Sequence, residues 1–228
     1  MQTQWQSATY DKGMDLAVGR HKVLRNTYML LALSMVPTAL GAWIGMSMQF
    51  MVRGWIGLLL FLGVSIGAFF AIERTKNSPV GVAILLAFTG FMGLWLSQFL
   101  QVALHFSNGG QMIAMAAGGT AAIFATLATV ATVSKRDFSF LGNFLFVGLI
   151  VMLLAAVANI FLAIPALTMA ISVVGTLIFS AYILYDVSQI VQGGQTNYIT
   201  ATLQLYLDIY NLFVSLLNLL MIFTGEKE

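Results

Sequence analysis

The chain has 228 residues, of which 60% are hydrophobic and 8% charged, with a mean hydropathy of +0.92. A soluble domain carries about 25% charged residues, so this composition excludes a water-soluble globular protein and points to a polytopic membrane protein. Net charge is +2 and cysteine is absent, which excludes disulfides, thiol catalysis and cysteine-bound metals.

Residues 1–25 are polar, with Gln, Ser and Thr early and basic residues late. They read as a mobile cytoplasmic tail that becomes helical near the membrane, ahead of a transmembrane domain over 26–225. No cleavable signal is expected, because the first apolar run is long enough to span and no small-residue cleavage site follows it. Seven apolar segments approach the roughly 20 residues a spanning helix needs. They cover about 27–48, 55–72, 79–101, 111–133, 138–163, 166–190 and 200–223.

Pro37 interrupts the first segment and is predicted to kink it. Lipid offers no hydrophobic drive for helix association, so small residues must let backbones approach. The stripes Gly57, Gly63 and Gly67 in the second segment and Ala114, Gly118 and Ala122 in the fourth, with Ala116 and Gly119 beside them, are therefore predicted packing faces. Trp43, Trp55 and Trp95 are candidate interface anchors. His21 and His105 lie at segment boundaries with no ligand cluster nearby in sequence.

The cations set the expected topology. Lys12, Arg20, Lys22 and Arg25 precede the first segment, Arg74 and Lys76 follow the second, and Lys135 and Arg136 follow the fourth. All eight fall on one side if seven spans alternate, leaving Arg53 and Lys227 on the other. The positive-inside rule then puts the N-terminus in the cytoplasm and the C-terminus outside.

Asp186 and Asp208 are the only carboxylates placed well inside apolar segments. A lone carboxylate in hydrocarbon costs about 2.5–3.5 kcal/mol even on the lenient insertion scale, so it needs a partner or water. At 1.5 Å per residue both lie roughly 10–12 Å from the helix ends that flank the Gly193-Gly194 turn. A tight hairpin would bring them level. On the seventh segment Gln204, Asp208, Asn211, Ser215 and Asn218 share a face at helical spacing. On the sixth, Thr168, Ser172, Gly175, Tyr182, Asp186 and Gln189 do the same.

Two carboxylates in contact cannot both ionise cheaply in low dielectric, so the pair is expected to hold one proton between them. With the proton they bridge two helices; without it they repel. The ionised pair would attract a cation, and with Asn211, carbonyls and water it makes a weak, transient calcium site. The bland alternative is a pair that only glues two helices together. Arg74 either neutralises one aspartate or serves as an ordinary positive-inside residue.

Several of these residues carry a family likeness. Tyr182-Ile183-Leu184-Tyr185-Asp186 and Tyr206-Leu207-Asp208-Ile209-Tyr210-Asn211 resemble the last two helices of the Bax inhibitor-1 family. Asp137-Phe138-Ser139-Phe140-Leu141-Gly142 and Ala158-Asn159-Ile160-Phe161-Leu162 add to the match. The stretch from His21 to Tyr28 and the turn from Gly193 to Ile199 resemble its bacterial YccA-like branch. The resemblance implies seven transmembrane helices with the seventh central and wrapped by the other six. It implies a pH-sensitive calcium leak across the bacterial inner membrane, sensed by Asp186 and Asp208 with Arg74 as their partner. It also implies a second role, in which the chain binds and modulates the AAA protease FtsH through its N-terminal tail.

The presence of both aspartates favours the leak at this stage, with Asn211, Ser215 and Asn218 as the ion path. An intramembrane aspartyl protease is disfavoured, because Leu205-Tyr206-Leu207 before Asp208 departs from the Gly-x-Gly-Asp pattern. No His-Glu-x-x-His motif is present. The chain is expected to be no enzyme and to hold no resident cofactor.

Overall fold

The computed structural model describes residues 2–52, 54–134 and 136–225, with side chains from residue 19 onward. Arg53, Lys135, Glu226, Lys227 and Glu228 lie outside the described residues, as do the side chains of Asp11, Lys12 and Asp15. Seven helices follow one another: α1 (Gln2–Ser47), α2 (Gly54–Thr75), α3 (Pro79–Ala103), α4 (Gly109–Ser134), α5 (Leu141–Leu162), α6 (Pro165–Gln192) and α7 (Tyr198–Thr224). Each contains a stretch long and apolar enough to cross a bilayer; in α1 that stretch is Gly19–Ser47. The described residues contain no strand. In hydrocarbon every backbone polar group must be satisfied within the segment, and helices achieve this.

From α2 to α7 the helix ends fall within three residues of the apolar segments read from the sequence, whereas α1 extends far ahead of residue 27. The N-terminal tail differs from expectation: α1 is one helix from Gln2 through Ser47, with no break where the apolar span begins.

α7 packs against α1, α2, α3, α4 and α6. This trims the picture of six helices around the seventh: the α5 backbone does not approach α7 and packs mainly on α6, with Phe161 also meeting Trp55 of α2. Leu205, Leu212 and Leu217 of α7 are fully buried, and the bilayer-facing side of α5 exposes Phe144, Val147, Val151, Leu154 and Phe161. An outward apolar surface of this kind fits lipid as the solvent.

The predicted packing stripes serve only in part: Gly57 and Ala116 are buried and Gly119 faces Leu216 of α7. Ala114, Gly118 and Ala122 are exposed, and no neighbour lies near Gly63, Gly67 or Gly118. The close approach is instead between α1 and α3. A methyl group at Gly41 would overlap the Gly90 carbonyl, and one at Gly93 would overlap the Thr38 carbonyl. Pro37 lies at this crossing, where a methyl group added at Gly90 would just touch it. Trp43 and Trp55 are exposed, as interface anchors would be, whereas Trp95 packs among Phe50, Phe61 and Phe91 inside the bundle.

Candidate functional site

The site is built on the α6–α7 hairpin. Gly193, at φ 84°, ends α6 in the left-handed conformation that glycine adopts without strain, and the Gly194 amide donates to the Gln189 carbonyl at 2.8 Å. Five residues later α7 starts on a side-chain cap. Asn197 Oδ1 accepts from the Ile199 and Thr200 amides at 2.9 and 3.1 Å. So short a connection sets the two helices antiparallel and in register.

That register brings Asp186 and Asp208 together. Both are buried, at 7% and 6% exposure, and their carboxyl groups lie within hydrogen-bonding reach of each other. Two carboxyls can hydrogen-bond only if one carries a proton, because an ionised carboxylate is an acceptor alone. Asp208 Oδ2 is buried and meets no donor among the described residues. The Tyr182 phenol stands beside both acids. Below the pair, Ile178, Phe179, Ile183 and Leu212 form a buried apolar cluster that separates it from the far half of the hairpin.

The remaining expected site residues are more scattered. Asn211 is half-buried and its amide donates back to the Leu207 carbonyl at 2.7 Å. Ser215 is buried where α7 crosses Gly175 of α6. Asn218 is half-buried further along the same face. Arg74 is exposed in the last turn of α2 and is not among the groups that face the acidic pair. Among the described residues the one ion pair joins Lys76 to Glu73.

The described residues hold no group of three or more His, Asp or Glu side chains in metal-binding range. The pair offers four carboxyl oxygens, short of the six to eight that calcium takes. The pair alone therefore falls short of a calcium coordination shell.

Two clamps at the same end of the bundle escaped the sequence reading. Asn197 Nδ2 donates to the Lys76 carbonyl and to Asn77 Oδ1, each at 2.9 Å, which ties the α2–α3 connection to the hairpin. Ser188 Oγ donates to the Arg136 carbonyl at 3.2 Å and accepts from the Phe138 amide at 3.3 Å. Gln189 donates to Ser139 Oγ at 2.7 Å. The α4–α5 connection is thus pinned to α6 within a turn of Asp186. Asp137 in that connection is solvated, and the Ser139 hydroxyl and amide hold its carboxyl below the ordinary aspartate value of 3.8. Arg20 of α1 lies over Gly193. Arg20, Lys76 and Arg136 therefore share one end, as the charge pattern required.

Seven helices long and apolar enough to cross a bilayer, two of them forming the hairpin, define a multipass membrane protein. Residues 20–225 match the family described as inhibitor of apoptosis-promoting Bax1, and the chain belongs to that family. It is 43% identical over 214 residues to a protein of Escherichia coli K12 named modulator of FtsH protease YccA, covering 94% of this chain and 95% of that one. The counterpart in a second Escherichia coli strain is named inner membrane protein YccA, with the same identity. A membrane protein of Vibrio cholerae is 40% identical over 212 residues, covering 93% of this chain and 94% of that one.

Proposed function

We propose that this chain modulates a membrane-anchored AAA protease of the FtsH type in the bacterial inner membrane. The observation that carries the reading is the near full-length likeness to a protein named for that role. This reverses the order expected from the residues alone, where the acidic pair put the ion leak first. The shape of α1 supports the reading: the helix starts at Gln2, well ahead of the apolar run expected from residue 27, and so offers a handle that reaches out from the membrane. The basic end of the bundle lies on the cytoplasmic side by the positive-inside rule.

The test is co-reconstitution of the whole chain with a purified FtsH-type protease and a membrane substrate. Substrate degradation is expected to slow as the chain is added, and removal of residues 1–18 is expected to relieve that inhibition. Unchanged degradation together with no isolable complex would overturn the reading.

A second reading rests on one specific feature, the buried Asp186–Asp208 contact. It is a pH-sensitive cation leak, with calcium as the cargo to test. Protonated, the pair fastens α6 to α7; ionised, it pushes them apart and opens the face bearing Asn211, Ser215 and Asn218. Arg74 is near the same end of the bundle and tunes the pair only if α2 moves toward it. The two readings are compatible, because a proton-dependent change in the hairpin would reach the protease through the same basic end.

A further inference from the structure

The face of α7 turned away from Asp208 borders a cleft. α1 and α4 both pack on α7, yet among the described residues they do not pack backbone to backbone. The space between them measures about 450 Å³. Tyr28, Ala32 and Met35 form its α1 wall, Ala117 and Ala121 its α4 wall, and Ile209 and Phe213 part of its α7 floor. The Tyr28 and Phe124 rings meet edge to face across it, centroids 6.0 Å apart. Ala32, Met35, Ala117 and Ala121 are all exposed, so the cleft opens sideways toward the bilayer.

Three observations select the occupant. The lining is almost wholly apolar, and such a site gives water too few polar partners to hold it. The volume is too small for a helix: three turns about 10 Å wide occupy on the order of 1,200 Å³. An acyl chain, one methylene thick, fits. Finally, residues 25, 28, 32 and 35 recur at the three- and four-residue steps that keep one helix face. Exposed Arg25 therefore stands one turn beyond Tyr28 on the same wall, at the end where exposed Arg136 follows α4. A guanidinium there matches a phosphate diester in charge and geometry.

We propose that the α1–α4 cleft binds one glycerophospholipid, its acyl chain lying between Ala32 and Ala121 and its phosphate held by Arg25. The site stands apart from the carboxyl pair and from either reading of function.

The experiment is native mass spectrometry of the whole chain released from nanodiscs of phosphatidylethanolamine and phosphatidylglycerol. One phospholipid per chain is expected to survive release. Ala121→Trp fills the cleft from an exposed position and should lower retention at least tenfold. Ala122→Trp, equally exposed but turned off the cleft, should leave it unchanged. Arg25→Gln should lower retention about tenfold. Equal retention by the two tryptophan variants, indifference to Arg25→Gln, or recovery of a free fatty acid or a partner protein instead of phospholipid would each overturn the proposal. A phospholipid with a photoreactive acyl chain covers the case in which Ala121→Trp does not fold. Cross-links in the native chain should concentrate on α1, α4 and α7, and an even spread over all outward-facing helices would overturn the site.

Discussion

Asp208 is the side chain on which the proton-dependent reading turns, because one of its oxygens is buried without a donor while the other group nearby is a second acid. Asparagine at this position would keep a hydrogen bond to Asp186, through its amide, and would remove the exchangeable proton. At low pH the native pair is joined; as pH rises the proton leaves and two like charges face each other. Calcium entry into proteoliposomes should therefore rise with pH in the native protein and lose that dependence in Asp208→Asn. An equally steep dependence in the variant would remove the latch. Asn197 is a second residue with a separable effect. Asn197→Ala removes a helix cap, which costs about 1 kcal/mol, and also the two bonds to Lys76 and Asn77. Thermal unfolding in detergent should show a loss of about 1–2 kcal/mol in all; an unchanged midpoint would mean that the α2–α3 connection is not held by this side chain. That each aspartate sits on the inward face of its helix was legible in the sequence, because helical spacing fixes a face. The Asn197, Ser188 and Gln189 clamps were not, since their partners lie about 50 or 120 residues away along the chain.

At the scale of helices, the α1–α3 crossing is the tightest joint. Gly93→Ala forces a methyl group against a backbone carbonyl, which side-chain motion cannot relieve. Overpacking of this kind costs about 1–3 kcal/mol, and the melting temperature should fall accordingly. Gly118→Ala, with open space around it, should stay within about 0.5 kcal/mol of native. Equal effects from the two would show that the crossing is looser than described. The same comparison shows where sequence reading runs out. Small residues at four-residue steps mark a face that permits close approach, and α2 and α4 both carry one. Which stripe is used depends on the shape of the partner, here the surface around Pro37 and Thr38 of α1. Trp95 misled for a similar reason: an aromatic ring near a span end reads as an anchor until Phe61 and Phe91 close around it.

For the molecule as a whole, span number and the one-sided distribution of cations were readable before any coordinates, because both follow from chain length in the bilayer and from charge. The order of the functional readings was not. A buried carboxyl pair describes chemistry available to the hairpin, whereas a protease partner leaves its trace on surfaces that look ordinary in sequence. The co-reconstitution with a protease belongs at this scale, because it asks whether the handle formed by α1 acts while the bundle stays intact.

α7 also has a bearing on how the protein is made. The element that contacts five of its neighbours comes after all of them in the chain, so the α1–α3 crossing can close before α7 arrives, while α4 and α6 meet their shared partner only with it. Chains cut short before Tyr198 would keep that first crossing and lack the common spine. Insertion of α7 thus becomes the step that joins partly paired helices into a single body.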